Sequence, residues 1–205
     1  MQTIAVMAQK GGCGKTTLTT NLFTLAEGRK VGFDTDSTKE DFSAWAEMRG
    51  EPDLVKKVSG IDIERHLLAA EQAGMNWAFI DTPPHAEASA SLVAQFANLA
   101  VVPVVPSFFD LRATKAIVDV LQAQDCPTVF VLNACTARTS EIEAGLSYLA
   151  KRHPTVLIAD TFVFQRVGYK RAALAGQGVG EFEPGSAAHH EMRRLWDNLL
   201  GSMNS

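Results

Sequence analysis

A chain of 205 residues suits one domain, 1–205, and is long enough to bury a sizeable core. It is 46% hydrophobic and 20% charged, and no apolar run approaches the ~18 residues of a membrane span, so stable membrane insertion is excluded. The net charge of −4 provides no general attraction to DNA or an anionic membrane, which leaves only a local basic patch, such as one completed when two subunits meet.

The chain opens on an apolar run, residues 3–8, that reads as a strand and leaves no room for a signal peptide, so a cytoplasmic location is expected. Lys10-Gly11-Gly12-Cys13-Gly14-Lys15-Thr16-Thr17 follows, and residues 16–25 suit a helix. Strand, Gly-rich loop and helix in that order make a phosphate-binding loop. The glycines let backbone N–H groups turn around an anion, and the first helical turn adds unpaired N–H groups and the positive end of its dipole. Lys15 then reaches the terminal phosphates and the Thr16 hydroxyl ligates Mg²⁺. One departure is plain. The general pattern wants a glycine five positions before Gly14, and this chain has Gln9 there, with an extra lysine, Lys10, beside the glycine pair.

Residues 31–34 read as a second strand, ending in Asp34-Thr35-Asp36. Two carboxylates there can face a metal-bound nucleotide, or Asp36 can cap a polar turn. Residues 41–50 are helical, with Phe42 and Trp45 as packing residues, and 63–73 is a further helix. Residues 77–81 form a strand that ends in Asp81-Thr82-Pro83-Pro84. An aspartate closing a buried apolar strand needs a metal or hydrogen-bond donors. A helix over 87–96, a strand over 99–105 covered on both faces, and a helix over 111–124 come next. The strand over 128–132 leads to Asn133, whose amide can read the adenine edge or hold a turn. Helix 140–151, a short strand at 155–158, a basic stretch holding Arg166, Lys170 and Arg171, a glycine-rich loop at 176–185 and a helix over 186–200 complete the chain.

Strands alternating with helices imply crossover connections, hence a three-layer α/β fold with a mostly parallel twisted sheet and helices on both faces. Ligands then sit at the carboxyl ends of the strands, where each motif falls. The three cysteines, Cys13, Cys126 and Cys135, contain no Cys-x-x-Cys pair, which argues against a disulfide framework, a zinc ribbon or a paired-cysteine redox site.

The Gly-Gly-x-Gly-Lys-Thr loop preceded by lysine resembles the deviant Walker A loop of the ParA/MinD family of P-loop NTPases, and Asp81-Thr82-Pro83-Pro84 resembles that family's Walker B segment. The resemblance runs over nearly the whole chain and is strongest to short, ParF-type plasmid partition ATPases. It implies ATP and Mg²⁺ as cofactors, with Gly11, Gly12, Cys13, Gly14, Lys15, Thr16 and Thr17 around the phosphates and Asn133 at the base. Thr16 and Asp81 would hold the metal. Lys15 and Asp36 would serve hydrolysis, and Lys10 would cross a nucleotide-sandwich homodimer to phosphates held by the other subunit. Pro83, Pro84 and the loop after them would be a second switch. The Pro-Gln that usually follows the Asp-x-Asp is replaced here by Ser37-Thr38. The segment from Pro103 to Ser107, with Asp110 after it, also has a counterpart near the nucleotide.

The function implied is a partition ATPase: ATP-dependent dimerisation, non-specific DNA binding on the nucleoid through Arg166, Lys170 and Arg171, and ATP hydrolysis stimulated by a centromere-binding or cargo adaptor protein. Binding of that kind needs only phosphate contacts. The same ATPase core also serves positioning of a protein cargo. A membrane-associated, MinD-like reading would require the mildly amphipathic residues 192–200 to be a lipid-facing segment.

Overall fold

The apolar strands are buried throughout, and their successive side chains point to opposite faces, which decides the layering. In the strand β4 (Trp77–Asp81), Phe79 faces one side while Ala78 and Ile80 face the other. In β5 (Leu99–Val104), Leu99 and Val101 face the first side and Ala100, Val102 and Val104 the second. A strand apolar on both faces must be covered twice.

The computed structural model describes residues 1–84, 87–136 and 139–203. Its strands are β1 (Gln2–Val6), β2 (Lys30–Asp34), β3 (Val55–Lys57), β4, β5, β6 (Thr128–Leu132) and β7 (Leu157–Ile158). They form one sheet in the order β3-β2-β4-β1-β5-β6-β7, and every pairing is parallel.

The helices are α1 (Lys15–Leu25), α2 (Asp41–Arg49), α3 (Ile63–Gln72), α4 (Glu87–Phe96), α5 (Phe108–Ala123), α6 (Thr139–Arg152), α7 (Val167–Leu174), α8 (Val179–Phe182) and α9 (Ala187–Met203). One face of the sheet packs on α1, α2, α7 and α9 through Leu22, Phe23, Trp45, Tyr169, Leu195 and Trp196. The other packs on α3 to α6 through Leu67, Val93, Leu121 and Leu149. This is the α/β three-layer arrangement expected from the sequence.

Three elements were not expected, one of them α8, a four-residue helix inside the stretch read as a glycine-rich loop. β3 is a three-residue edge strand whose Lys56 and Lys57 face solvent, so it has no apolar run to betray it, and edge lysines discourage pairing with other chains. α7 lies where only a basic stretch was read. Its Tyr169 and Ala172 are buried, while Lys170 and Arg171 are exposed.

Residues 192–200 belong to α9, and their apolar side chains are in the core. Leu195 and Leu199 are fully buried, and Trp196 lies 5.0 Å from Trp77 between ring centroids. Each such leucine contributes roughly 1.5–3 kcal/mol by its removal from water. That face is therefore occupied by the protein's own sheet.

Candidate nucleotide site

The sheet order places β1 between β4 and β5, so the loop after β1 opens between the carboxyl ends of its two neighbours. The chain runs from β1 toward β2 on one side and later returns to β5 on the other. Such a reversal creates a crevice for ligands.

Gly14 closes the loop as the residue before α1, with φ of 92°, and Gly12 has φ of 78°. Both lie in the left-handed region that side chains disfavour. A Cβ added at Gly11 or Gly12 would meet nothing within 4 Å, so the loop borders open space there. Lys15, only 8% exposed, donates through Nζ to the Lys10 carbonyl at 3.3 Å. The Cys13 thiol also donates to that carbonyl, and burial pushes its pKa up, away from a reactive thiolate.

Asp81 is 2% exposed, and both its oxygens are used. The Thr16 hydroxyl donates to Oδ2 at 2.6 Å, and the Thr19 hydroxyl to Oδ1 at 3.1 Å. Residues 16 and 19 are one helical turn apart, so both hydroxyls face β4. Register sets Asp81 beside Asp34 of β2. Burial, reinforced by the Asp34 charge, pushes the Asp81 carboxyl up to about 7, against the opposing hydroxyl donors. A buried carboxylate and a hydroxyl in contact are the hard oxygen donors that Mg²⁺ prefers, with phosphate and water completing the shell. These residues therefore fit a Mg²⁺-nucleotide. Thr17, half-buried, accepts through its carbonyl from the Asn21 amide, whose Oδ1 in turn takes the Val179 N–H.

Asp36 is buried and accepts through Oδ1 from the Thr38 and Lys39 N–H groups at 3.0 and 3.2 Å, so it shapes its own turn. Asp34 was not singled out by itself, yet it holds the start of this segment, taking the Asp36 N–H at 3.1 Å and the Ser43 N–H at 2.9 Å. Lys10 is half-exposed and pairs with Asp110 of α5 at 2.6 Å. Asp110 is itself bonded to the Ser107 hydroxyl. Thus the segment after Pro103 touches the phosphate loop through a carboxylate. The segment expected to act as a second switch begins at Pro83 and Pro84, and its residues 85–86 lie outside the described residues.

Asn133 directly follows β6 and is brought to the loop, where Nδ2 donates to the Cys13 carbonyl at 2.6 Å. Arg166 stands elsewhere, its guanidinium bonded to Glu191 through Nε at 2.8 Å and through Nη2, while Glu191 also takes the Tyr169 hydroxyl. Lys170 and Arg171 are exposed and make no ion pair among the described residues. The sequence did not point to Thr19, although its spacing of three from Thr16 was a usable signal. Nothing local signalled the pairing of Lys10 with Asp110.

Residues 4–179 match the family model described as the CobQ/CobB/MinD/ParA nucleotide binding domain. The chain belongs to this nucleotide-binding family. The carboxysome distribution maintenance protein A of Halothiobacillus neapolitanus is 23% identical over 98% of this chain and 97% of its own length. The septum site-determining protein MinD of Pyrococcus horikoshii, solved with Mg-ADP, superposes with a TM-score of 0.76 at 17% identity over 98% of both chains. A plasmid partition protein of Borrelia burgdorferi, solved with AMPPNP, gives 0.72 at 12% over 98% of both. At these identities the solved structures speak to the fold, a ParA/MinD-type P-loop NTPase.

Proposed function

We propose that this ParA/MinD-family protein is an ATPase that positions a cargo, dimerising with ATP and separating after hydrolysis. The observation that carries this reading is the contact of the Thr16 hydroxyl with the buried Asp81 carboxylate beneath a glycine-rich loop that bears two lysines. Mg-ATP, when bound, supplies the phosphoryl group to be transferred and the cation charge that Asp81 is placed to balance. The residues do the rest by position and charge. Loop N–H groups and Lys15 bind the phosphates, with Lys15 giving up its bond to the Lys10 carbonyl. Thr16 and Asp81 would hold the metal, Asp36 would orient water, and Lys10 would reach the other subunit.

The cargo is a protein assembly in the first reading, supported by the similarity to the carboxysome distribution protein over nearly the full length of both chains. An adaptor on that cargo would stimulate hydrolysis. A second reading, partition of plasmid DNA on the nucleoid, is favoured by exposed Lys170 and Arg171 and by the likeness to the Borrelia protein. A membrane role is less well supported. The apolar face of α9 is in the core, and among the described residues no helix is long and apolar enough to cross a membrane.

The test is the mass in solution with ATP, ADP or no nucleotide, for the wild type and Lys10→Ala. Association specific to ATP in the wild type and lost in the variant is the expected result. Association that ignores ATP would refute the switch, and a variant that still associates would refute the role of Lys10.

A further inference from the structure

We propose that Asn133 is a positioning residue of the phosphate loop, aiming the Gly14 N–H into the anion cradle. The proposal rests on the reading of this loop as a phosphate cradle and goes beyond it in saying what sets the loop's shape. It also replaces the expected adenine contact of Asn133.

Three observations support it. The first is the bond itself. Asn133 is 4% exposed, its backbone N–H is tied to the Val104 carbonyl at 2.9 Å, and its Nδ2 reaches the Cys13 carbonyl at 2.6 Å. Only the NH₂ side of the amide can face a carbonyl, so the orientation of the group follows from chemistry.

The second concerns the peptide plane. Among the described residues every peptide bond is trans. In a trans peptide the carbonyl and the following N–H point in opposite directions. Holding the Cys13 carbonyl toward β6 therefore turns the Gly14 N–H the other way, and that N–H has no partner among the described residues. An unpaired N–H at a helix start is a donor for an anion.

The third is the fit at Gly14. A Cβ there would stand 2.2 Å from Asn133 Nδ2. The glycine is thus required twice, by its positive φ and by the close approach of this amide. One Nδ2 hydrogen is spent on the Cys13 carbonyl, and at 4% exposure the amide has little surface left to offer a base.

The experiment measures binding of ATP, GTP and inorganic tripolyphosphate to the wild type and to Asn133→Asp at pH 8. Asp is nearly the same shape but sets a carboxylate against the Cys13 carbonyl. Loss of the bond frees that peptide to rotate, and all three affinities are expected to fall together by about tenfold. The ATP to GTP ratio should not change. A loss confined to ATP, with tripolyphosphate untouched, would make Asn133 a base reader and overturn the proposal, as would affinities equal to the wild type. Asn133→Ala removes the donor without adding charge and carries the same expectation if the carboxylate prevents folding. Failure of the cradle reading would be seen separately, as a wild type that binds neither ATP nor tripolyphosphate, and would take the proposal with it.

Discussion

Asp81→Asn should stabilise the nucleotide-free protein while abolishing its Mg²⁺-dependent nucleotide binding. Asp81 is 2% exposed, and its carboxyl is pushed from 3.8 to about 7, chiefly by burial. A carboxyl whose folded pKa is raised holds its proton more tightly folded than unfolded. Below pH 4 both states are protonated, and the group costs nothing. Between about 4 and 7 the unfolded chain ionises first, so stability falls as pH rises, and above about 7 the full cost is present. Roughly three pKa units at 1.36 kcal/mol each set an upper bound of about 4 kcal/mol. Asparagine does not ionise and can still accept from one threonine hydroxyl while donating to the other. The variant should therefore exceed the wild type by only about 1 kcal/mol near pH 4.5 and by up to about 4 kcal/mol at pH 8. The assay is urea denaturation with EDTA at both values, with the two proteins compared at each pH so that other titrating groups cancel. A stability difference of the same size at both pH values would refute the reasoning, because it would mean that packing and not ionisation distinguishes the two side chains.

Asp110→Asn should free Lys10 from its 2.6 Å ion pair, so that ATP-dependent association sets in at lower protein concentration than in the wild type. The gain should vanish in the double variant with Lys10→Ala, and unchanged association in gel filtration would count against Asp110 as a restraint. Lys170→Ala combined with Arg171→Ala removes two exposed cations of α7, so stability should stay within about 0.5 kcal/mol of the wild type. Retention of random-sequence DNA by the ATP-bound protein should fall, with a salt dependence shallower by roughly one or two ions, and undiminished retention would place any DNA surface elsewhere.

The features legible in the sequence were those written into a few consecutive residues. The phosphate loop is one contiguous string, and Asp81 stands out as a charge at the end of an apolar run. The strand–helix alternation gave the layers because a short continuous apolar run bounded by helical stretches is a local pattern. Edge strand β3 escaped because three residues with two exposed lysines carry no such pattern. Contacts set by strand order were equally hidden. Nothing local to β6 says that it lies two strands from β1, and so that the Asn133 side chain reaches the phosphate loop. The pairing of Lys10 with Asp110, 100 residues apart, depends on β5 being the neighbour of β1. That order also explains the division of labour around the loop. The neighbour on one side, β4, delivers the Asp81 carboxylate to the Thr16 hydroxyl, where a metal would sit. The neighbour on the other, β5, leads to the Asp110 carboxylate, which holds the Lys10 ammonium. Both carboxylates are largely shielded, but the partner of Asp81 would be a bound cation, whereas that of Asp110 is a lysine whose own side chain is 45% exposed and so has room to swing away.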